Sequence, residues 1–258
     1  MPEFTNPPKR KSPSPNWTHF NLWNRVQNVF QEIPQSFKST ISVSGIRATE
    51  IYAFSEVLGL TIEEEVVRTL NDLRSHWDPD GQYANYRFVR QAQTFPDVLL
   101  SNQDMSEIIM GIELKSWYLL AKEGEPSFRF IVTPDACAPQ DLFVVVPWVL
   151  NNVLSGSPIV FKPYIESARY LAEYRNYWWQ TIRQARGNVQ IIHPSGIQPY
   201  PRTRDEIADQ PAEDKGRNFG RIARMGIMDD YVAEFGDVPL LGIKVSRWRR
   251  FFKEKDSD

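Results

Sequence analysis

Residues 107–120, EIIMGIELKSWYLL, set an acid and a lysine two positions apart inside an otherwise apolar stretch. No other segment limits the fold as much. Side chains alternate between the two faces of a strand, so Gly111, Glu113, Lys115 and Trp117 project one way and Ile112, Leu114, Ser116 and Tyr118 the other. An E-x-K pair is common on solvated strands. Here Ile108, Ile109, Met110, Leu119 and Leu120 make the surroundings too apolar for a strand that is mostly wet. Burying two charges in such a run is costly unless they are paired or bound to a metal. The segment reads as a strand with one packed face and one working face.

Sixteen positions before Glu113, the apolar segment TFPDVLL carries Asp97 after Pro96. Carboxylate oxygens are the ligands that a hard cation such as Mg²⁺ prefers. A lysine beside them adds positive charge where a phosphate or an attacking water would lie. These are the residue types that metal-assisted phosphodiester hydrolysis requires. Similar letters recur elsewhere without strand context. Pro79-Asp80 lies in the turn-forming HWDPDGQ, Pro134-Asp135 in the loop-like TPDACAP, and Glu213-Asp214-Lys215 in a polar stretch.

Residues 49–75 have apolar positions at spacings of three and four (Ile51, Phe54, Leu58, Ile62, Val66, Leu70, Leu73), which predicts an amphipathic helix. At about 100° per residue, Glu64 points away from the apolar stripe, while Glu63 and Glu65 flank it on opposite sides. Either flanking acid reaches toward the strands.

Taken together, Gly59-x-x-x-Glu63, Pro96-Asp97 and Glu113-Leu114-Lys115 resemble the PD-(D/E)xK nuclease superfamily, in particular its type II restriction endonucleases. The resemblance covers about residues 49–150. It implies an α/β (mixed α+β) fold with a restriction-endonuclease-like core: a helix, three meandering strands, a second helix and a fourth strand, in a central mixed sheet of four to five strands flanked by helices. It further implies that Asp97 bridges the metal ions, that Glu113 is a second ligand, and that Lys115 positions or activates the attacking water. Glu63 would hold a metal or its water and is preferred to Glu65 on the G-x-x-x-E spacing. The implied cofactor is Mg²⁺, with Mn²⁺ able to substitute. The implied partners are double-stranded DNA, a second copy of the chain (with Tyr174 or Trp178 at the interface) and, functionally, a DNA methyltransferase. Other readings are a structure-specific or repair nuclease of the same superfamily, a non-catalytic DNA-binding protein that retains the fold, and an α+β domain in which the motif is accidental.

The chain departs from the family after Lys115. Residues 121–140 contain three prolines and Gly124, so the second helix is expected to be very short or replaced by a loop or hairpin. The next segment, DLFVVVPWVL, is apolar throughout, as in a strand buried on both faces.

The 258 residues, 41% hydrophobic with 8 Trp, suffice for one elaborated domain over 17–258, comprising a core over about 49–150 and a helical, loop-rich elaboration over 151–258. Residues 1–16, rich in proline with Lys9, Arg10 and Lys11, read as a mobile tail. A lone cysteine, Cys137, excludes an internal disulfide framework. No apolar run of about 18 residues and no secretory signal pattern is present, which predicts a soluble cytoplasmic protein without membrane contact. The net charge of −2 counts slightly against nucleic-acid binding, since sequence-independent binders tend to be basic, but a specific nuclease need not be, because it contacts bases through a few residues.

Elsewhere the patterns predict a short helix over 19–37 with Leu22, Val26 and Phe30 inward, and strands around YANYRFV and TFPDVLL. A helix over 162–186 would align Tyr164, Ala168, Leu171, Tyr174 and Trp178 and direct Arg169, Arg175, Arg183 and Arg186 toward phosphate or solvent. Residues 187–217 read as a long loop suited to groove reading, with His193 a structural histidine. A further helix is expected over 217–235. The tail SRWRRFFKEK fits either phosphate contact or an amphipathic helix docked on the core.

Overall fold

The computed structural model describes residues 6–91, 93–183 and 187–255. Two long helices open it: α1 (Phe20–Ser36) and α2 (Ile51–Asp72), followed by the short α3 (Arg74–Trp77). In α1, Leu22, Val26, Phe30 and Ile33 are buried at spacings of three and four, as the periodicity predicts. In α2 the same holds for Leu58, Ile62, Val66 and Leu70. The side chains of Ile51 and Phe54 lie outside the described set.

Strands β1 (Tyr86–Arg90), β2 (Val98–Asn102) and β3 (Ile108–Tyr118) form an antiparallel meander. β4 (Leu142–Leu150) then runs parallel to β3, from Ile112↔Leu142 to Tyr118↔Trp148. Every residue of β4 is buried, the burial on both faces that its apolar run predicts. β5 (Pro158–Val160) and β6 (Tyr164–Ser167) share the other edge of β4 end to end, both antiparallel to it. The six strands therefore occupy five positions in a mixed sheet. Between β5 and β6, residues 161–163 stand opposite only Val146 and Pro147, so the register shifts by one. Pro147 lacks an N–H to give to a neighbour, and its carbonyl accepts from Phe161 N at 2.9 Å.

The parallel crossover from β3 to β4 contains no α-helix; its one regular piece is the 3₁₀ turn Pro134–Ala136. A non-helical crossover must find backbone partners elsewhere. Phe130 N donates to Gly220 O (2.8 Å), Thr133 N to Ile207 O (2.7 Å), and Val132 bridges to Ala208. The later part of the chain thus covers the crossover in place of a second helix.

That later part differs from expectation in two places. The helix predicted over 162–186 begins instead as β6, and α4 spans only Ala168–Tyr177 before a π-helical turn over Trp178–Ile182. Tyr164 is consequently a strand residue, paired with Val145. The Ser167 side chain caps α4 by accepting from Tyr170 N, which fixes the helix start. The helix predicted over 217–235 is also interrupted: Gly220 and Gly226 adopt positive φ, leaving a 3₁₀ turn at Ile222–Met225 and α5 at Asp229–Gly236. Two-residue antiparallel pairings join β7 (Ile191–Ile192) to β8 (Gln210–Pro211) across a long loop and β9 (Pro239–Leu240) to β10 (Ile243–Lys244) in a tight hairpin. The last helix, α6 (Val245–Lys255), docks through buried Val245 and Phe252.

Residues 6–16 carry no helix or strand, yet Arg10 pairs with Glu166 (2.9 Å), Lys11 with Glu173 (2.7 Å), and Pro13 is buried. No described helix is long and apolar enough to cross a membrane.

Candidate active site

Asp97 is held just before β2 by its neighbours on both flanks. Gln91 N donates to Asp97 O (2.7 Å), and Gln91 Nε2 donates to Pro96 O (2.8 Å). The Pro96 ring fills the space above Gly111 of β3, where a Cβ would come within 2.3 Å of its Cγ. Gly111 N in turn donates to Asp141 Oδ1 (2.7 Å). Asp141 is wholly buried and also accepts from Ala138 N (2.7 Å) and the Tyr200 hydroxyl (3.1 Å). Burial pushes its carboxyl up to about 6 against those stabilising donors. The Pro-Asp dipeptide is thus seated on a glycine, and a buried acid anchors that glycine.

From this seat Asp97 Oδ2 accepts from Leu114 N (3.1 Å) and from Lys115 Nζ (2.8 Å). The same ammonium lies 2.8 Å from Glu113 Oε1. Ile112 and Leu114, at 0% and 1% exposure, pack the opposite face of β3, as alternation requires. Glu113 is itself buried, and its Oε2 has no hydrogen-bond partner among the described residues. Burial raises the Glu113 pKa, opposed by Lys115 and reinforced by Asp97. For Lys115, burial disfavours the ammonium, but Glu113 and Asp97 outweigh it and the pKa is raised, so the group stays charged.

Glu63 approaches from α2. Its Oε1 accepts from Ser116 N (3.2 Å) and its Oε2 from Arg90 (3.1 Å). Gly59, one turn earlier, faces β3 closely: a Cβ at 59 would meet Ser116 Oγ at 2.9 Å, so an alanine there requires that hydroxyl to turn aside or the helix to shift. Burial raises the Glu63 pKa, partly offset by Lys115 and Arg90. Glu64 is largely exposed and pairs with Arg90. Glu65 faces elsewhere, accepting from Thr40 N (2.7 Å) and Thr40 Oγ1 (2.9 Å). The structure thus brings Glu63, Asp97, Glu113 and Lys115 together and leaves Glu65 outside.

An open cleft of ≈ 550 Å³ reaches Glu63, Asp97 and Lys115 and is lined also by Leu60, Arg90 and Gln93, whereas the buried Glu113 does not line it. Among the described residues no three His, Cys, Asp or Glu side chains already stand in a metal-holding arrangement. Asp97 and Glu113 are nonetheless gathered around one positive charge, here the Lys115 ammonium, and Glu113 keeps a buried oxygen without a donor. An all-oxygen donor set with a spare carboxylate oxygen fits a hard divalent cation. Arg90, Gln91, Gly111, Ser116 and Asp141 support the site but carry no catalytic motif. Of these, Gly111 alone gives a sequence signal, since glycine inside an apolar strand marks a close backbone approach.

The other candidates lie apart. Asp135 pairs with Arg169 (3.6 Å), and Asp214 accepts from Asn218 N, Phe219 N and Arg129. Arg175 is not available to phosphate: it is 1% exposed, donates to Phe130 O and Val132 O (both 2.9 Å) and pairs with buried Asp209. His193 Nδ1 lies 2.7 Å from Asp209 Oδ1, in keeping with a structural histidine. The Arg183 guanidinium lies 3.8 Å from the Trp179 ring centroid; Arg186 lies outside the described residues. On α6, Trp248 Nε1 donates to Leu240 O (3.0 Å) and Arg249 Nε to Leu119 O (2.6 Å), so that helix is docked, with Arg247 and Arg250 exposed. Comparison with protein-family models, curated proteins and solved structures gives no match to this chain.

Proposed function

We propose that this chain is a Mg²⁺-dependent DNA endonuclease of the PD-(D/E)xK type, acting as a type II restriction enzyme on double-stranded DNA. The observation that carries this reading is the convergence of one lysine with Asp97 and the buried Glu113 at 2.8 Å each, where Lys115, Asp97 and Glu63 line an open cleft. Few structural needs call for two carboxylates and a lysine on the buried half of a strand junction. Phosphodiester hydrolysis does.

Asp97 and Glu113 would hold the metal, with Glu63 as the third acid. Bound there, the ion supplies Lewis-acid stabilisation of the phosphate and a more acidic water. The chain's own residues do the rest. Leu114 N fixes the Asp97 carboxylate, Gln91 fixes the Pro96-Asp97 backbone, and Ser116 N fixes Glu63. Lys115 carries a persistent positive charge and would hold the attacking water or a phosphate oxygen rather than act as a base. Hydrolysis would leave 5′-phosphate ends. One site cuts one strand, so cutting a duplex calls for a homodimer, and protecting host DNA calls for a partner methyltransferase.

Incubating the purified protein with plasmid and phage DNA plus Mg²⁺ should give discrete fragments, with Mn²⁺ able to replace Mg²⁺. Cleavage confined to branched junctions would favour a structure-specific nuclease, and binding without cleavage a non-catalytic binder. Glu63→Ala should be far more damaging than Glu64→Ala. Equal damage would contradict the assignment of the helix acid.

A further inference from the structure

Arg90 and Lys115 are the cationic side chains that line the cleft among the described residues, and only Lys115 is held between Asp97 and Glu113. Arg90 closes β1, where it pairs with Val98, the residue after Asp97. Phe88, on the same face of β1 by alternation, is buried against Trp77. Arg90 carries that face out to the cleft, where it meets two acids of α2. Its Nη2 donates to Glu63 Oε2 and its Nη1 to Glu64 Oε1, both at 3.1 Å. These partners are unequal. The Glu63 side chain is 13% exposed and also accepts from Ser116 N, whereas that of Glu64 is 65% exposed and has Arg90 as its one partner among the described residues. An ion pair so open to water contributes little, so Glu64 can be exchanged for another anion at little cost.

Resting on the nuclease reading, we propose that Arg90 is a DNA phosphate contact that keeps Glu63 and gives up Glu64 for a phosphate oxygen of the strand lying in the cleft. A guanidinium carries its N–H donors in a fixed fork, two of them on each Nη. Nη1 and Nη2 each give one to a glutamate, which leaves one on each, while Nε is buried and out of a ligand's reach. Release of Glu64 frees a further N–H on Nη1. A phosphate can then be held by two N–H groups at once, the geometry for which arginine is suited. The location is also appropriate. Gln91 N donates to Asp97 O, so this end of β1 is pinned to the segment that carries the metal-binding acid. The phosphate that Arg90 meets is therefore the scissile one or its neighbour. Until DNA arrives, Glu64 occupies the place of that phosphate.

The test is binding of a fluorescein-labelled random-sequence duplex to the full chain in EDTA, read by anisotropy across a salt series. Arg90→Gln should weaken binding and reduce the slope of log K against log[salt] by about 0.9, the loss of one phosphate contact. Arg90→Lys should keep the slope, because the charge remains, and bind more weakly than wild type for want of the fork. Glu64→Ala should tighten binding about twofold to fivefold, and most of that gain should be lost in the Arg90→Gln/Glu64→Ala double variant. Glu64→Ala leaves Arg90 and the core intact, so it decides the question even where Arg90→Gln fails to fold. A slope unchanged in folded Arg90→Gln, or Glu64→Ala binding no tighter than wild type, would overturn the proposal and leave Arg90 as a counter-charge to Glu63. Plasmid cleavage by the wild type with Mg²⁺ separates the two ideas. Cleavage with an unchanged slope removes the phosphate contact and leaves the nuclease. The expected slope change without cleavage removes the nuclease and leaves a DNA binder that holds phosphate through Arg90. A wild type that neither binds nor cuts removes both.

Discussion

Gly111 lies directly against Pro96: a Cβ on Gly111 would stand 2.3 Å from the ring's Cγ and 3.0 Å from Asp141 Oδ1. Neither a proline ring nor a buried carboxylate is a flexible group that can swing aside. Gly111→Ala should therefore push the Pro96-Asp97 segment off β3. We expect a loss of about 1–3 kcal/mol in stability and a cleavage loss larger than the stability loss explains, because Asp97 is displaced. Chemical denaturation with single-turnover cleavage checks this. Wild-type cleavage by Gly111→Ala would contradict the seating of Asp97.

The approach of α2 to β3 gives a second, reversible test. Alanine normally stabilises a helix over glycine by about 1 kcal/mol, yet at 59 its Cβ meets Ser116 Oγ at 2.9 Å. Gly59→Ala should leave stability nearly unchanged while lowering cleavage about tenfold or more, since small displacements of a reacting group are costly. Ser116→Ala removes the obstructing hydroxyl and should restore much of that loss in the double variant. No rescue would mean that Gly59 matters for another reason.

Lys115 is the counter-charge to a buried acid. Removing it with Lys115→Met should destabilise the metal-free protein by about 3 kcal/mol, because Glu113 is left buried with neither oxygen paired to a cation. Adding Glu113→Gln should recover part of this, with a coupling of about 1–3 kcal/mol in a double-mutant cycle. Additive effects would show that the ion pair contributes no stability. All three variants should be inactive.

Asp141 offers a pH signature. Its folded pKa of about 6 stands above the ordinary 3.8, chiefly through burial. A raised carboxyl pKa favours the folded state while the group is protonated, so this contribution is complete at low pH and is lost as pH rises through about 6. Asp141→Asn cannot titrate and also sets an amide against Ala138 N or Gly111 N. The variant should be less stable than wild type at pH 4, and its deficit should shrink, by no more than about 3 kcal/mol, on reaching pH 7. Urea denaturation at both pH values decides it; a constant deficit contradicts the assignment.

The elements that carry the site were the legible ones. Periodicity marks α1 and α2, and long apolar runs mark β2, β3 and β4, because each buries a face that its own residues advertise. β6 was not legible: YIES reads equally well as a helix start, and only the unsatisfied edge of β4 makes it a strand. The expected helix at 217–235 failed where Gly220 and Gly226 turn the chain through positive φ. Arg175 reads from sequence as a surface or phosphate-binding arginine. Its burial depends on the carbonyls of Phe130 and Val132 and the carboxylate of Asp209, which converge on it and which no local pattern reveals. Within the site, the charged residues stand out in sequence because they interrupt apolar strands. Gln91 and Asp141 do not, because they hold other residues' backbone atoms, and Ser116 does not, because it acts through its own backbone N–H; such contacts leave no side-chain signature.

The most direct measurement compares wild type with Asp97→Ala on plasmid and phage DNA of diverse, unmodified sequence, with Mg²⁺ and with EDTA. Discrete fragments from wild type with Mg²⁺, none with EDTA, and none from a folded Asp97→Ala are the predicted result. An uncut plasmid with wild type, or cutting that survives both EDTA and Asp97→Ala, would contradict it.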